Sequence, residues 1–123
     1  MTQSLKKILI VDDSAVIRKA IERFLSDYQI EVIGKASNGL IALEMFREYQ
    51  PDIVTLDITM PGLDGFQILK EMVKINRSTK IIVITALADK ATGLRALKNG
   101  AKSYLTKPFG PEKLRHAISR LLE

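Results

Sequence analysis

Apolar residues along the chain follow two alternating patterns. Five short runs, rich in β-branched residues and of strand length, occupy residues 7–12, 31–36, 52–57, 80–85 and 102–107. Between these runs the apolar residues recur at intervals of three and four, which is the spacing of an amphipathic helix. The clearest helical repeats run from Ile17 to Leu25 and from Leu114 to Leu122. Strands and helices are therefore predicted to alternate along the chain.

Shorter repeats mark three further helices. Their leading apolar pairs are Leu43 with Phe46, Leu69 with Met72, and Leu94 with Leu97. We expect these large side chains to face the core. The third of these helices, at about residues 89–99, contains Gly93 in its interior, where glycine costs about 1 kcal/mol relative to alanine. That helix is predicted to be an element of low stability.

Five strands alternating with five helices predict a parallel sheet covered by helices on both faces, which is an α/β architecture. The runs at 7–12, 52–57 and 80–85 are almost wholly apolar, as central strands are, whereas the other two are mixed, as edge strands are. This distribution fits the doubly wound, flavodoxin-like strand order 2-1-3-4-5. With 123 residues, 46% hydrophobic and 27% charged, the chain is predicted to form one domain over residues 1–123.

The residues at the ends of the predicted strands are candidates for a chemical site. Asp12 and Asp13 follow the first strand, Asp57 ends the third, Thr85 the fourth and Lys107 the fifth. Because parallel strands end at one edge of a sheet, we expect these side chains to meet in one crevice, where such sheets bind ligands. Three carboxylates about 4–5 Å apart would repel one another by roughly 3–4 kcal/mol per pair. The cluster therefore requires protonation or a cation.

Magnesium is the cation that this set of residues favours. The chain has no cysteine and a single histidine, His116, which leaves oxygen ligands and therefore a hard ion such as Mg²⁺. Such an ion leaves room for a phosphate, so Asp57 is a candidate nucleophile that would form an aspartyl phosphate. Lys107 would help to neutralise the phosphoryl oxygens, and the Thr85 hydroxyl would bond one of them.

Each of these residues also has an ordinary structural explanation. Acidic residues before a helix interact favourably with its dipole, which would account for Asp12 and Asp13. Asp57 alone could begin a turn, Thr85 could be a plain strand-end residue, and Lys107 a solvated lysine. The joint placement of three acids, a hydroxyl and a lysine at one sheet edge favours the chemical interpretation.

The segments ILIVDDS, VTLDITMPGLDG, VITA and YLTKPF occur in this order, and together they resemble the receiver domains of two-component response regulators. The resemblance covers essentially the whole chain, which is similar to the short, stand-alone, CheY-like chemotaxis type. It implies a phosphorylation-controlled signalling switch and not an enzyme with a substrate of its own. The implied partners are a histidine kinase as phosphodonor, a downstream target (a flagellar motor switch protein in a chemotactic system) and a phosphatase.

The resemblance also implies a ligand set. Asp12, Asp13, Asp57 and the backbone carbonyl of Thr59 would hold Mg²⁺. Two positions depart from the best-known chemotaxis regulator, because Thr59 and Leu87 stand where that protein has Asn and Glu. Leu87 has no carboxylate to orient a hydrolytic water, so the lifetime of the phosphate is not predicted.

Further roles follow from the same resemblance. Lys107 would contact the phosphoryl group, and a cis peptide is expected between Lys107 and Pro108, since proline makes the cis form accessible at about 0.5–1 kcal/mol. Thr85 and Tyr104 match the switch residues, whose side chains turn towards the phosphate and inward respectively when a receiver is phosphorylated.

The distribution of charge suggests where a partner would bind. Residues 1–80 have no net charge, and residues 81–123 carry the entire net charge of +5. The output face implied by the resemblance, formed by the fourth helix, the fifth strand and the fifth helix, lies in this basic part. Its basic residues are Lys90, Arg95, Lys98, Lys102, Lys113, Arg115 and Arg120. We predict a partner with acidic residues, although a merely solvated basic surface would look the same.

Other functions fit parts of the sequence. A small-molecule phosphatase using an aspartyl phosphate would usually need a second Asp two residues after Asp57, where Thr59 stands. The basic C-terminal part suggests nucleic acid, but no helix-turn-helix or aromatic platform follows the α/β unit. Within the family, a phosphorelay intermediate or the receiver of a longer DNA-binding regulator is the alternative. The apolar runs are far shorter than the roughly 20 residues of a membrane span, and we expect a cytoplasmic protein.

Overall fold

A computed structural model of the chain, which describes residues 5–62 and 64–122, has five strands and five helices in alternation. The strands are β1 (Lys6–Val11), β2 (Ile30–Ala36), β3 (Ile53–Asp57), β4 (Lys80–Thr85) and β5 (Ser103–Thr106). The helices are α1 (Ala15–Phe24), α2 (Gly39–Tyr49), α3 (Gly65–Ile75), α4 (Lys90–Lys98) and α5 (Pro111–Leu122). All strands pair in parallel, in the order β2-β1-β3-β4-β5. The predicted fold is confirmed.

The central strands are buried on both faces. In β1, Ile8 and Ile10 pack with side chains of α1 and α5, whereas Leu9 and Val11 pack with those of α2 and α3. The same alternation continues through β3 and β4, whose apolar residues are almost fully buried. Each such side chain contributes about 1.5–3 kcal/mol by leaving water. This packing holds the carboxyl ends of the central strands in fixed relative positions.

The helices begin close to those strand ends. Capping side chains accept hydrogen bonds from backbone N–H groups in the first turn of the helices α1 to α4, and these caps are Ser14, Asn38, Asp64 and Asp89. A cap of this type contributes about 1 kcal/mol and fixes where the helix starts. The loops between strand end and helix start are short for this reason, and they position the polar residues at the carboxyl edge.

The orientation of α4 differs from the prediction. Leu94 and Leu97 are 55% and 38% exposed, while Gly93 and Ala96 are buried. The expectation that the two leucines face the core was therefore wrong. The reason is the close approach of α4 to β5, where a Cβ atom on Gly93 would lie only 2.3 Å from Cζ of Tyr104. Small residues face the sheet there, and the leucines lie on the outside of the helix.

Two smaller features bear on the site. The observed strand limits agree with the predicted ones to within one residue, so Asp12 and Lys107 lie just beyond β1 and β5. The peptide bond between Lys107 and Pro108 is cis, as expected. Within the described ranges, no helix combines the length and the apolar character needed to cross a membrane.

Candidate functional site

Three carboxylates meet at the carboxyl edge of the sheet. Asp12 follows β1 and Asp57 ends β3, and both side chains are buried, whereas Asp13 is exposed. One carboxylate oxygen from each of the three lies within 4.8 Å of the others. The three carboxylates from the ends of two strands therefore come together at one edge of the sheet.

Lys107 bridges the two buried carboxylates. Its Nζ lies 2.9 Å from Oδ2 of Asp12 and 2.9 Å from Oδ2 of Asp57. It donates a hydrogen bond to Asp57, whereas its approach to Asp12 is that of an ion pair outside hydrogen-bond geometry. Burial disfavours the ammonium, but the hydrogen bonds and charges of the two aspartates outweigh burial and raise the pKa of Lys107. The lysine is therefore charged at neutral pH.

Asp12 is the less well stabilised of the two buried carboxylates. Burial raises the pKa of Asp12, and the negative charge of Asp57 raises it further. The Ser14 N–H, which donates to Oδ1 at 2.9 Å, and the Lys107 ammonium lower it without cancelling the effect. Oδ2 of Asp12 is buried and has no hydrogen-bond donor. One ammonium is thus shared by two buried carboxylates, so the pair of aspartates is not fully neutralised.

The arrangement fits a magnesium ion. The three candidate ligands all offer oxygen, which is the donor that Mg²⁺ prefers. The buried Oδ2 of Asp12 lacks a hydrogen-bond donor, and an additional cation there would reduce the repulsion between Asp12 and Asp57. The acidic pocket of Asp12, Asp13 and Asp57 is thus compatible with Mg²⁺ binding.

Thr59 fixes the orientation of the Asp57 carboxylate. Both its backbone N–H and its hydroxyl donate to Oδ1 of Asp57, at 2.8 Å and 2.6 Å. With Lys107 on Oδ2, each oxygen of Asp57 has a donor. Only the carbonyl of Thr59 was predicted to have a role, and both donors of this residue were missed. The spacing of two residues from Asp57 was the signal for the backbone N–H bond, because aspartate side chains often bond the backbone at that distance.

The two predicted switch residues lie at different places. Thr85 is buried at the end of β4, and its hydroxyl accepts a hydrogen bond from the N–H of Leu87 at 2.9 Å. Leu87 itself is 52% exposed beside this strand end. Tyr104 is half-buried on β5, and its ring lies against Gly93 of α4.

Arg18 is a further residue that sequence reasoning missed. Its Nη1 donates to the backbone carbonyl of Asp12 at 2.6 Å, while Ser14 caps α1 from the same loop. Together they hold the loop that carries Asp12 and Asp13. A spacing of six residues from Asp12 to Arg18 gave no recognisable signal in the sequence.

A groove of about 820 Å³ runs between α4, β5 and α5. Three of the predicted basic residues, Lys102, Lys113 and Arg120, line it, together with Tyr104 and the exposed His116. Lys90 and Lys98 are exposed on α4. Three of the seven predicted cations therefore line the groove, beside the acidic Glu112, and two more are exposed on α4.

The other two predicted cations are engaged elsewhere. The guanidinium of Arg95 stacks on the ring of Phe66 in α3, 3.9 Å from its centroid. Arg115 donates to the carbonyl of Phe24 at 2.9 Å and to Asp27 at 2.7 Å, at the end of α1. Both arginines thus have partners on neighbouring helices and do not line the groove, and their place in the output face stays a prediction.

Comparison with known proteins identifies the family. The family described as the response regulator receiver domain matches residues 8–119. The chain is 41% identical over 116 residues to the chemotaxis protein CheY of Thermotoga maritima, covering 94% of this chain and 97% of that protein. Identity to CheY of Bacillus subtilis is 40% over 116 residues, with the same coverage of 94% and 97%.

A solved structure agrees with the sequence matches. CheY in the crystal structure of the CheX–CheY–BeF3–Mg²⁺ complex from Borrelia burgdorferi superposes with a TM-score of 0.91 at 29% identity, covering 96% of this chain and 90% of that chain. The acidic cluster lies at the site where the family resemblance places phosphorylation. The chain therefore belongs to the response regulator receiver domain family and is a CheY-like receiver of two-component signalling.

Proposed function

We propose that the chain, as one receiver domain over residues 1–123, is a binding switch controlled by phosphorylation of Asp57. The observation that carries this proposal is the environment of that carboxylate. Asp57 is buried at the end of β3, has Lys107 Nζ 2.9 Å from Oδ2, and shares the crevice with Asp12 and Asp13. A structural aspartate at a turn would need neither the second buried acid nor the bridging lysine.

The phosphoryl transfer follows from this geometry. A carboxylate oxygen of Asp57 attacks the phosphorus of a phosphohistidine on the kinase, the new O–P bond forms, and the P–N electron pair leaves with the imidazole. Lys107 would neutralise a phosphoryl oxygen, and the Thr85 hydroxyl, which accepts from the N–H of Leu87, would donate its proton to another. Thr59 holds the nucleophile in one orientation through its two hydrogen bonds.

Asp12, Asp13, Asp57 and the Thr59 carbonyl would hold the magnesium ion. When bound, the ion would supply positive charge that stabilises the phosphoryl oxygens during transfer. In the absence of bound cation, Asp12 and Asp57 share the single ammonium of Lys107. Metal binding would therefore prepare the site for an incoming dianion.

The output face is proposed to be the groove between α4, β5 and α5. Lys102, Lys113 and Arg120 line it, and Leu94 and Leu97 of α4 add exposed apolar surface. A partner segment with acidic and apolar residues would complement this combination, and its binding should weaken as salt rises. The neighbouring CheY is solved in a complex with CheX, and we propose that this chain has a comparable regulatory partner as well as a target.

The test is phosphorylation by a small acyl phosphate in the presence of Mg²⁺. Mass spectrometry should show a gain of one phosphoryl group, which is lost in Asp57→Asn. Asp27→Asn, at an exposed aspartate three residues beyond the end of α1, is the matched control and should be modified like the wild type. A chain that gains no phosphoryl group from any donor, or an Asp57→Asn variant that still does, would refute the proposal.

A further inference from the structure

Gly93 lies in the interior of α4, at the point where the ring of Tyr104 meets the helix. A Cβ atom built on Gly93 would lie 2.3, 2.4 and 2.6 Å from Cζ, Cε2 and Cε1 of that ring. Carbon atoms in a folded protein do not approach so closely. A side chain at position 93 and the Tyr104 ring in its present place therefore exclude one another.

The ring also provides the bulk beneath this part of α4. The buried residues of α4 are Gly93 and Ala96, neither of which fills much space. Tyr104 packs against the core cluster on this side of the sheet and lines the groove between α4, β5 and α5. The same aromatic ring is thus both the support of α4 and a wall of the groove.

We propose that Gly93 is a positioning residue that admits the Tyr104 ring beneath α4, so that the ring and the helix move as one element. Departure of the ring would leave a void under a helix whose inner side is glycine and alanine, and α4 would have to shift to close it. A side chain at position 93 would instead push the ring towards the groove. We call this dependence of the Tyr104 ring on Gly93 the interlock of ring and helix. Its consequence for partner binding rests on the proposed function, whereas the interlock itself does not.

The competing explanation is that Gly93 is only a weak point in the helix. In that case alanine at position 93 would stabilise α4 whatever residue occupies position 104. The interlock instead predicts that alanine at position 93 is stabilising only when the ring of Tyr104 is absent. A double-mutant cycle between the two positions separates these explanations.

The cycle compares Gly93→Ala, Tyr104→Ala and the double variant with the wild type by thermal unfolding. Gly93→Ala alone should lower the midpoint or leave it unchanged, whereas the same change in the Tyr104→Ala background should raise it by about 3–5 °C. Ala91→Gly, on the exposed side of α4, is the control and should lower the midpoint equally in both backgrounds. An equal effect of Gly93→Ala in both backgrounds would overturn the proposal.

Nitration of tyrosines by tetranitromethane gives a second measurement. Tyr49 is 40% exposed and is the internal reference. Nitration of Tyr104 relative to Tyr49 should rise several-fold in Gly93→Ala, and an unchanged ratio would count against the interlock. If Gly93→Ala fails to fold, recovery of folding in the double variant supports the interlock, and failure of both variants overturns it. No phosphodonor is needed, so a failure of phosphorylation would refute the proposed function alone.

Discussion

Replacement of Lys107 by methionine tests the electrostatics of the site most directly. The change keeps the length of the side chain and removes the one ammonium that lies 2.9 Å from both Asp12 and Asp57. Two buried carboxylates then face each other with oxygens within 4.8 Å. Their repulsion at an effective dielectric constant of 20 is about 3–4 kcal/mol. We expect the free energy of unfolding at pH 7, without Mg²⁺, to fall by about 3 kcal/mol, in the range found when a buried ion pair loses one partner.

Protonation of Asp12 sets an upper limit on this loss. Its pKa is already raised by burial, and loss of the ammonium raises it further. Protonating an aspartate at pH 7 costs about 1.4 kcal/mol for each pH unit between its ordinary pKa and 7, which is about 4 kcal/mol. The loss of stability in the variant does not exceed this cost, because Asp12 would then be protonated. Because the folded pKa lies above the unfolded one, the folded state binds more protons in that interval, and its stability falls as pH rises. The deficit of the variant should therefore shrink between pH 7 and pH 5.

Urea unfolding followed by circular dichroism measures the effect. The wild type and Lys107→Met are compared at pH 7 with a chelator, at pH 7 with Mg²⁺, and at pH 5. Added Mg²⁺ should restore much of the lost stability, since it supplies the missing positive charge. Lys102→Met, at an exposed lysine of the groove, is the control and should change stability little under all three conditions. A Lys107→Met protein as stable as the wild type at pH 7, or a deficit that neither Mg²⁺ nor acid reduces, would show that the reasoning is wrong.

Three other residues give independent predictions. Thr55 is buried in β3 and its hydroxyl has no hydrogen-bond partner, so Thr55→Val should raise the free energy of unfolding by about 1–2 kcal/mol; a loss in urea unfolding would show that the hydroxyl is used. Lys80 Nζ donates to the carbonyl of Leu121 near the end of α5 at 2.5 Å, so Lys80→Met should lower stability by about 1–2 kcal/mol, with no change expected for Lys19→Met. Asp89, the cap of α4, has a pKa lowered by its hydrogen bonds to Thr92. Its carboxylate therefore stabilises α4 fully at pH values above the ordinary aspartate pKa of 3.8. This stabilisation is lost as the pH falls through the lower pKa of the folded state. The hydrogen-exchange protection of the α4 amides should therefore fall with pH in the wild type. It should not do so in Asp89→Asn, because asparagine caps the helix without titrating, and equal behaviour of the two proteins would contradict this prediction.

The fold was predictable because its determinants are local. The runs that became β1, β3 and β4 are apolar enough to be recognised as doubly buried strands, and the parallel topology then places Asp12, Asp57 and Lys107 at one edge. The gathering of residues from distant parts of the chain required no knowledge of side-chain contacts. It followed from the order of the strands alone.

What could not be predicted depends on contacts between elements. Gly93 and Ala96 have the same spacing as Leu94 and Leu97, so the helical period of α4 is compatible with either pair facing the sheet. The ring of Tyr104, which comes later in the chain, decides between them.

The contacts of two arginines show the same limit. Arg95 is drawn to Phe66 by a cation–π contact, and Arg115 to Asp27 by an ion pair. A count of charges along the sequence locates a basic region, but the partners of each long side chain come from other helices. The sequence therefore gives the number of cations in a region but not the contacts that each of them makes.

The short strand β5 connects the acidic site to the groove. Lys107 lies just beyond its end and Tyr104 lies within it, so the residue that bridges Asp12 and Asp57 is three positions from the ring that supports α4. A phosphoryl group on Asp57 would replace a singly charged carboxylate with a group of roughly −1.5 to −2 charges, and the one ammonium that bridges Asp12 and Asp57 is already shared. The attraction on Lys107 would then change, and a four-residue edge strand has few contacts with which to absorb a displacement. The strand β5 alone would therefore be enough to couple a phosphate on Asp57 to the groove.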